Sequence, residues 1–146
     1  MSRFETRHTT LDDLYYLVKD TPEANLWGYM QGQHVSYLLE QDSYSGFVDG
    51  KLIMCGGLVN IWPGLAEAWI ALTPLAANHT TFVLRTARLY LNDRAERYQL
   101  NRIEAHVRSD FHIARRFCYW LGFQFNATLP KYGPNGETFL LMSRVM

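Results

Sequence analysis

Residues 102–123 read RIEAHVRSDFHIARRFCYWLGF. Ile103, Ala105 and Val107 alternate with Glu104, His106 and Arg108. A period of two with one apolar face predicts a half-buried strand. Ser109 and Asp110 follow, both residue types that cap helix N-termini. Ile113, Ala114, Phe117 and Leu121 then recur at helical spacing and are expected to form the buried side of a helix. Gly122 stands where a helix stops on a left-handed residue. A strand running through a short loop into a helix that ends on glycine is the unit of an α/β chain.

The pattern extends in both directions. Upstream, Val83, Ala87, Tyr90, Leu91 and Tyr98 give residues 78–97 the apolar stripe of a long helix. Before it, residues 66–73 read as a strand, with Glu67, Trp69 and Ala71 on one face and Ala68, Ile70 and Leu72 on the other. Strands over 44–48 and 51–62 flank Asp49-Gly50, a strong hairpin signal. Gly56-Gly57 predicts a bulge or a close approach, and Pro63-Gly64 a turn. A first strand is expected over 3–7. Thr10, followed by Asp12 and Asp13, caps a helix carrying Leu11, Leu14, Tyr15 and Val18. A second helical region, 23–41, is broken near Gly28 to Gly32. Downstream, strands over 123–128 and 138–144 are joined through Gly133-Pro134-Asn135-Gly136. The order is β-α-α-β-β-β-α-β-α-β-β. Its central strand, crossover helix and strand make two neighbouring strands parallel.

The whole chain, residues 1–146, is expected to be a single domain. Apolar residues make up 48% and charged residues 19%, enough to bury a core and too apolar for a disordered chain. No apolar run approaches the ~20 residues of a membrane-spanning helix, and Met1-Ser2-Arg3-Phe4-Glu5 has no apolar signal region. Cys55 and Cys118 are isolated, which predicts a reducing, cytoplasmic setting and no zinc site. His34, His79 and His112 lack metal-ligand spacing. Net charge is zero, yet residues 1–67 hold nine acids and four Lys or Arg, while 68–146 hold five acids and ten. The second half is the half suited to an anion, since Arg binds two phosphate oxygens at once. Solvated helix faces are the simpler explanation of the same residues. A nucleic-acid stripe is absent, and neither a membrane nor a metal is expected as partner.

Residues 44–145 resemble the GNAT superfamily of N-acetyltransferases. Ala114 and Gly122-Phe123 match its strand–helix–Gly-Phe segment, and Ala66-Glu67-Ala68-Trp69-Ile70 is similar to the strand before its cofactor loop. Trp62-Pro63-Gly64, Ala68-Trp69 and Trp120 to Phe123 also resemble a phage-encoded acetyltransferase-like or internal virion group. The resemblance implies an α/β (α+β) acyl-CoA N-acyltransferase fold, a mixed sheet of about six to seven strands flanked by about four helices. It implies acetyl-CoA as cosubstrate and a primary amine, on a small molecule or protein, as acceptor.

In that superfamily a Gly-rich loop at a helix N-terminus holds the cofactor pyrophosphate through backbone N–H groups. The matching stretch here, Leu72 and Thr73 through Asn78, His79, Thr80 and Thr81, contains no glycine. Asn78, Thr80 and Thr81 can still offer donors, and Arg85 lies in the first turns of the helix; an ordinary capped helix explains the same residues. Phe111 holds the place of the family Asn that contacts the cofactor arm. Cys118 holds the place of the family Tyr that protonates the leaving thiolate; a buried thiol packing as a small hydrophobe is the alternative. Glu67, on the strand bordering the cleft, is the first candidate base, and His106 the second. Trp27, Tyr29, Trp62 and Trp69 can line a substrate wall or a core.

Two functions compete. One is an N-acetyltransferase. The other is a catalytically degenerate protein on the same fold, with a virion assembly, internal virion or host-protein-binding role, located in host cytoplasm or virion. A homodimer fits either.

Overall fold

The computed structural model describes residues 2–20 and 39–146. The elements are β1 (Phe4–Arg7), α1 (Leu11–Asp20), β2 (Asp42–Val48), β3 (Lys51–Trp62), β4 (Leu65–Leu72), a 3-10 turn (Pro74–Asn78), α2 (Thr80–Arg97), β5 (Arg102–Arg108), α3 (His112–Trp120), β6 (Gln124–Leu129) and β7 (Phe139–Val145). The strands form one seven-stranded sheet in the order β1-β2-β3-β4-β5-β7-β6. β4 and β5 are parallel; β1–β2, β2–β3, β5–β7 and β6–β7 are antiparallel. This is the expected mixed α/β architecture, with three α-helices among the described residues. Most of the expected second helical region, with Trp27, Tyr29 and His34, lies outside them.

The chain divides into two compact units. The first comprises Met1–Val59 and Trp69–Thr86. Here Asp49 and Gly50 take φ of 49° and 79° between the paired residues Val48 and Lys51, the two left-handed positions of a type I′ hairpin. The Asp49 carboxylate and N–H bond the Arg3 N–H and carbonyl at 2.8 Å, which fastens β1 to the hairpin. Thr10 Oγ1 accepts from the Asp13 N–H (3.4 Å), and the Asp13 carboxylate accepts from the Thr10 N–H (2.9 Å). That reciprocal cap starts α1 as expected. Leu14, Leu17, Leu52, Cys55 and Ala71 form its core, with Leu39, Phe47, Val59 and Trp69 packed against them.

Gly57 is the close approach. A Cβ there would stand 2.5 Å from the Asp42 carbonyl oxygen and 2.9 Å from Trp69 Nε1. The irregularity in this hairpin falls at Gly46/Phe47 in β2 rather than at the glycine pair of β3. The glycines of β3 serve to admit neighbours, the Tyr44 ring at Gly56 and the β2 backbone at Gly57. A further departure is at α2, which starts at Thr80 rather than residue 78. Pro74 opens the 3-10 turn before it, and the His79 N–H closes on the Ala76 carbonyl at 3.0 Å.

The second unit comprises Asn60–Ala68 and Ala87–Met146. Gly64, at φ 94°, completes the Pro63-Gly64 turn, and its carbonyl accepts from the N–H groups of Asn101 (2.7 Å) and Arg102 (3.1 Å). This sets the register of β4 on β5, Leu65 opposite Arg102 and Glu67 opposite Glu104. Ile103, Ala105, Val107, Leu140 and Met142 are buried, as the alternation requires.

Helix α3 departs from its expected form at both its start and its buried side. Phe111, not Ser109 or Asp110, occupies the N-cap, without a side-chain cap bond. The Asp110 carboxylate is taken by Arg108 Nε at 2.7 Å. Of the expected buried side, Ile113 is 73% exposed, Ala114 and Phe117 are half-buried, and Leu121 is buried as expected, joined by Phe123. Tyr98 is likewise exposed, just past the end of α2. The helix stop is as expected. Gly122 has φ 92°, its N–H reaches the Tyr119 carbonyl (3.0 Å), and the Phe123 N–H reaches the Cys118 carbonyl (3.0 Å), a Schellman motif.

Candidate active site

In the second unit, β5 presents Arg102, Glu104, His106 and Arg108 on the face opposite its buried residues. The parallel register places two carboxylates, Glu67 and Glu104, side by side. Like charges so placed repel, and each has found a different partner. Arg102 Nε donates to Glu104 Oε2 at 2.8 Å. His106 Nδ1 lies 2.8 Å from Glu67 Oε1. The His106 and Glu67 side chains are 15% and 28% exposed, so the pair is sheltered yet reachable.

The contact decides the tautomer. A carboxylate only accepts, so Nδ1 must carry the proton. Whenever the ring is neutral, Nε2 is then its lone-pair nitrogen, and a proton taken there gives an imidazolium beside the Glu67 carboxylate. The two candidate bases read from the sequence thus form one unit. The His106 ring also lies on Tyr132, with centroids 5.0 Å apart and planes 4° apart. Tyr132 contacts the Phe139 ring at 5.3 Å. Sequence reasoning missed Tyr132; its only signal is an aromatic residue within a Pro, Gly and Asn loop.

Cys118 lies on α3, half-buried and free. Burial pushes its thiol up to about 12. Donating a proton to a leaving thiolate, whose ordinary value is near 8.5, is uphill from such a group. The packing alternative for Cys118 is favoured. Phe111 caps α3, with the Arg108 guanidinium 5.5 Å from its ring centroid.

Apart from Phe111, which lies in the second unit, the residues expected to hold a cofactor lie in the first. Leu72 is half-buried at the end of β4. Thr73 is buried, and its donors are committed. Its hydroxyl donates to the carbonyls of Leu52 (2.9 Å) and Ile53 (3.2 Å), its N–H to Ile53 (2.8 Å). Thr73 therefore fastens the strand end to β3 and has no donor left for a phosphate. Asn78, Thr80, Thr81 and Arg85 are exposed. The first amide that closes a turn of α2 is that of Val83, on the His79 carbonyl at 3.0 Å. The amides of Thr80, Thr81 and Phe82 come before it and are the free donors of a helix start. Phe4 packs there, edge-on to His79 at 5.6 Å and stacked on Phe82 at 4.5 Å. Helix amides, hydroxyls and a guanidinium are donor types that suit a diphosphate, and residues 73–81 contain no glycine.

Among the described residues no helix is long and apolar enough to cross a membrane, and no three His, Cys, Asp or Glu side chains gather as a metal cluster.

No family model and no curated protein matches the sequence. Solved structures do match. An acetyltransferase of the GNAT family from Bacillus anthracis has a TM-score of 0.74 at 14% identity, over 98% of this chain and 95% of its own. A ribosomal-protein-alanine N-acetyltransferase from Brucella melitensis has a TM-score of 0.75 at 15% identity, over 97% and 99%. The Salmonella typhimurium protein yncA, solved with its cofactor acetyl-CoA, has a TM-score of 0.72 at 16% identity, over 97% and 93%. At such identities the likeness is one of architecture, and these near-complete overlaps give the chain the fold of the GNAT acyl-CoA N-acyltransferases.

Proposed function

We propose that the chain is an N-acetyltransferase that moves an acetyl group from acetyl-CoA to a primary amine of a small molecule or protein. His106 is the proton acceptor and Glu67 its orienting partner. The observation that carries this is the 2.8 Å contact between His106 Nδ1 and Glu67 Oε1 on adjacent parallel strands. An alkylamine is protonated at neutral pH and has no lone pair to attack with. His106 Nε2 takes one proton from the ammonium group and releases it to solvent. The amine nitrogen then bonds the acetyl carbon as the carbon–sulfur bond breaks, and its second proton goes to the departing sulfur. The donor's diphosphate would rest on the first amides of α2, the hydroxyls of Thr80 and Thr81, Asn78 and Arg85.

The test is acetyl-CoA-dependent thiol release over a panel of polyamines and peptides, with Glu67→Gln beside wild type. Loss of the carboxylate leaves the imidazolium without its counter-charge and the ring less firmly oriented. Turnover is expected to drop by about 10–100-fold, less than the ~10⁴-fold lost when a buried carboxylate orienting a catalytic His is replaced, because Glu67 is 28% exposed and water can take its place. Affinity for acetyl-CoA should be unchanged. Turnover equal to wild type would remove Glu67 from its role.

A second reading is a degenerate relative with a virion or host-protein-binding role, alone or as a homodimer. The committed donors of Thr73, the glycine-free stretch 73–81 and the protonated Cys118 thiol support its degenerate site and leave its partner open. Absence of thiol release with every amine would support it.

A further inference from the structure

We infer that Tyr132 is a positioning residue for His106: its ring holds the imidazole plane so that Nε2 keeps one direction, and supports the imidazolium once the proton has arrived. This rests on the reading of His106 as proton acceptor.

One hydrogen bond at Nδ1 fixes one edge of an imidazole. As a single soft restraint it still allows χ1 and χ2 to shift together. A second restraint, on the face, narrows the range of the plane. Tyr132 supplies it, 5.0 Å away and within 4° of parallel. The aromatic face also carries negative potential, which favours a cation lying on it. Glu67 thus meets the ring at its edge and Tyr132 on its face.

The segment between β6 and β7 is built to deliver that ring. Lys131 takes a left-handed φ of 54°, at a cost for a residue with a Cβ. The Gly133 N–H bonds the Glu137 carbonyl (3.0 Å), the Gly136 N–H bonds the Gly133 carbonyl (3.0 Å), and the Asn135 N–H bonds Glu137 Oε1 (2.8 Å). A Cβ on Gly133 would meet Glu137 Oε2 at 2.2 Å and Phe139 Cε1 at 2.8 Å. At its far end the Ser109 N–H bonds the Thr138 carbonyl (2.9 Å), and Phe139 pairs with Arg108 of β5. A loop with three internal bonds, tied to the strand that carries His106, holds Tyr132 in a defined place.

The test compares Tyr132→Phe with Tyr132→Leu and Tyr132→Gln. Tyr132 is 46% exposed, so all three should fold with wild-type circular dichroism. Phe keeps the stack; kcat should stay within about twofold of wild type. Leu and Gln remove it, and kcat should drop about tenfold, the scale of an aromatic stacking contact. KM for amine and donor should stay within about twofold, because binding contacts are untouched. Nitrogen NMR of the free protein gives a readout without substrate. A His106 Nδ1–H resonance in slow solvent exchange is expected in wild type and Tyr132→Phe, and its loss by fast exchange in Leu and Gln. Wild-type kcat in both Leu and Gln, or equal impairment in Phe, would overturn the inference. If wild type proves inactive, the acetyltransferase reading fails. The resonance then decides Tyr132 alone: persistence in Leu and Gln overturns its positioning role, and loss supports it.

Discussion

His106→Ala is expected to lower kcat for acetyl transfer by about 10²- to 10⁴-fold, the range contributed by a positioned general base. The dissociation constant for acetyl-CoA should not change, since no residue expected to hold the donor's diphosphate contacts His106. The loss should exceed that of Glu67→Gln, because Glu67 acts through the imidazole and His106 takes the proton itself. Raising pH should recover part of the lost rate as more acceptor amine becomes neutral in solution, and this recovery should be steeper than in wild type. Stability should change little. Glu67 is 28% exposed, so water can solvate the carboxylate left behind. Stopped-flow thiol detection and thermal unfolding check the two halves of this expectation. Turnover within about threefold of wild type, far short of a general base's contribution, would show that His106 is not the proton acceptor.

Asp13→Ala should give the largest loss of stability, about 3 kcal/mol, from one helix cap and one charged hydrogen-bond set. Asp13 is 6% exposed. Its carboxylate accepts from Arg7 Nη1 (2.7 Å) and Nη2 (2.9 Å), the Thr10 N–H (2.9 Å) and Ser45 Oγ (2.8 Å). Ser45 Oγ also contacts Thr9 Oγ1 (3.0 Å) and Cys55 Sγ (3.1 Å). One carboxylate therefore joins β1, α1 and β2 and caps the helix. Burial alone would push this carboxyl up. The bonds from Arg7, Thr10 and Ser45 outweigh burial and hold it below the usual carboxylate range. A depressed folded value means stability that is complete above the unfolded value, near 3.9. That stability is lost as pH falls below about 4 and through the folded value. Urea unfolding of wild type and Asp13→Asn should differ most above about pH 5 and converge toward pH 2. A constant difference across that range would contradict the assignment.

Local chemistry made much of the fold legible. Asp49-Gly50 needs no distant partner to turn, nor does Gly122 to end α3. The alternation of Ile103, Ala105 and Val107 placed His106 on the open face before any neighbour was known. Glu67 and His106 were each legible as bases. Their pairing was not, because the register of β4 on β5 is set by Gly64 accepting from Asn101 and Arg102, 37 residues or more away in sequence. The role of Thr73 is hidden for a similar reason: its hydroxyl is consumed by β3 carbonyls about 20 residues upstream. Helical periodicity put Ile113 inside, but periodicity gives a stripe without saying which turn of the helix reaches the core. The buried side of α3 is set at its C-terminal end, where the Schellman turn inserts Leu121 and Phe123. Tyr132 depends on a left-handed Lys131 and a glycine admitted by space alone, neither of which a sequence pattern announces.

Acetyl transfer requires that the folded chain bind its donor, and titration calorimetry with acetyl-CoA reads this most directly. Saturable heat at one site is expected, with a rise in unfolding temperature that grows with ligand; at a hundred times Kd the stabilisation is about 2.7 kcal/mol. Arg85→Ala should weaken the heat without abolishing the fold. Absence of both heat and thermal shift at millimolar acetyl-CoA would contradict the enzyme reading and leave the fold serving a binding role.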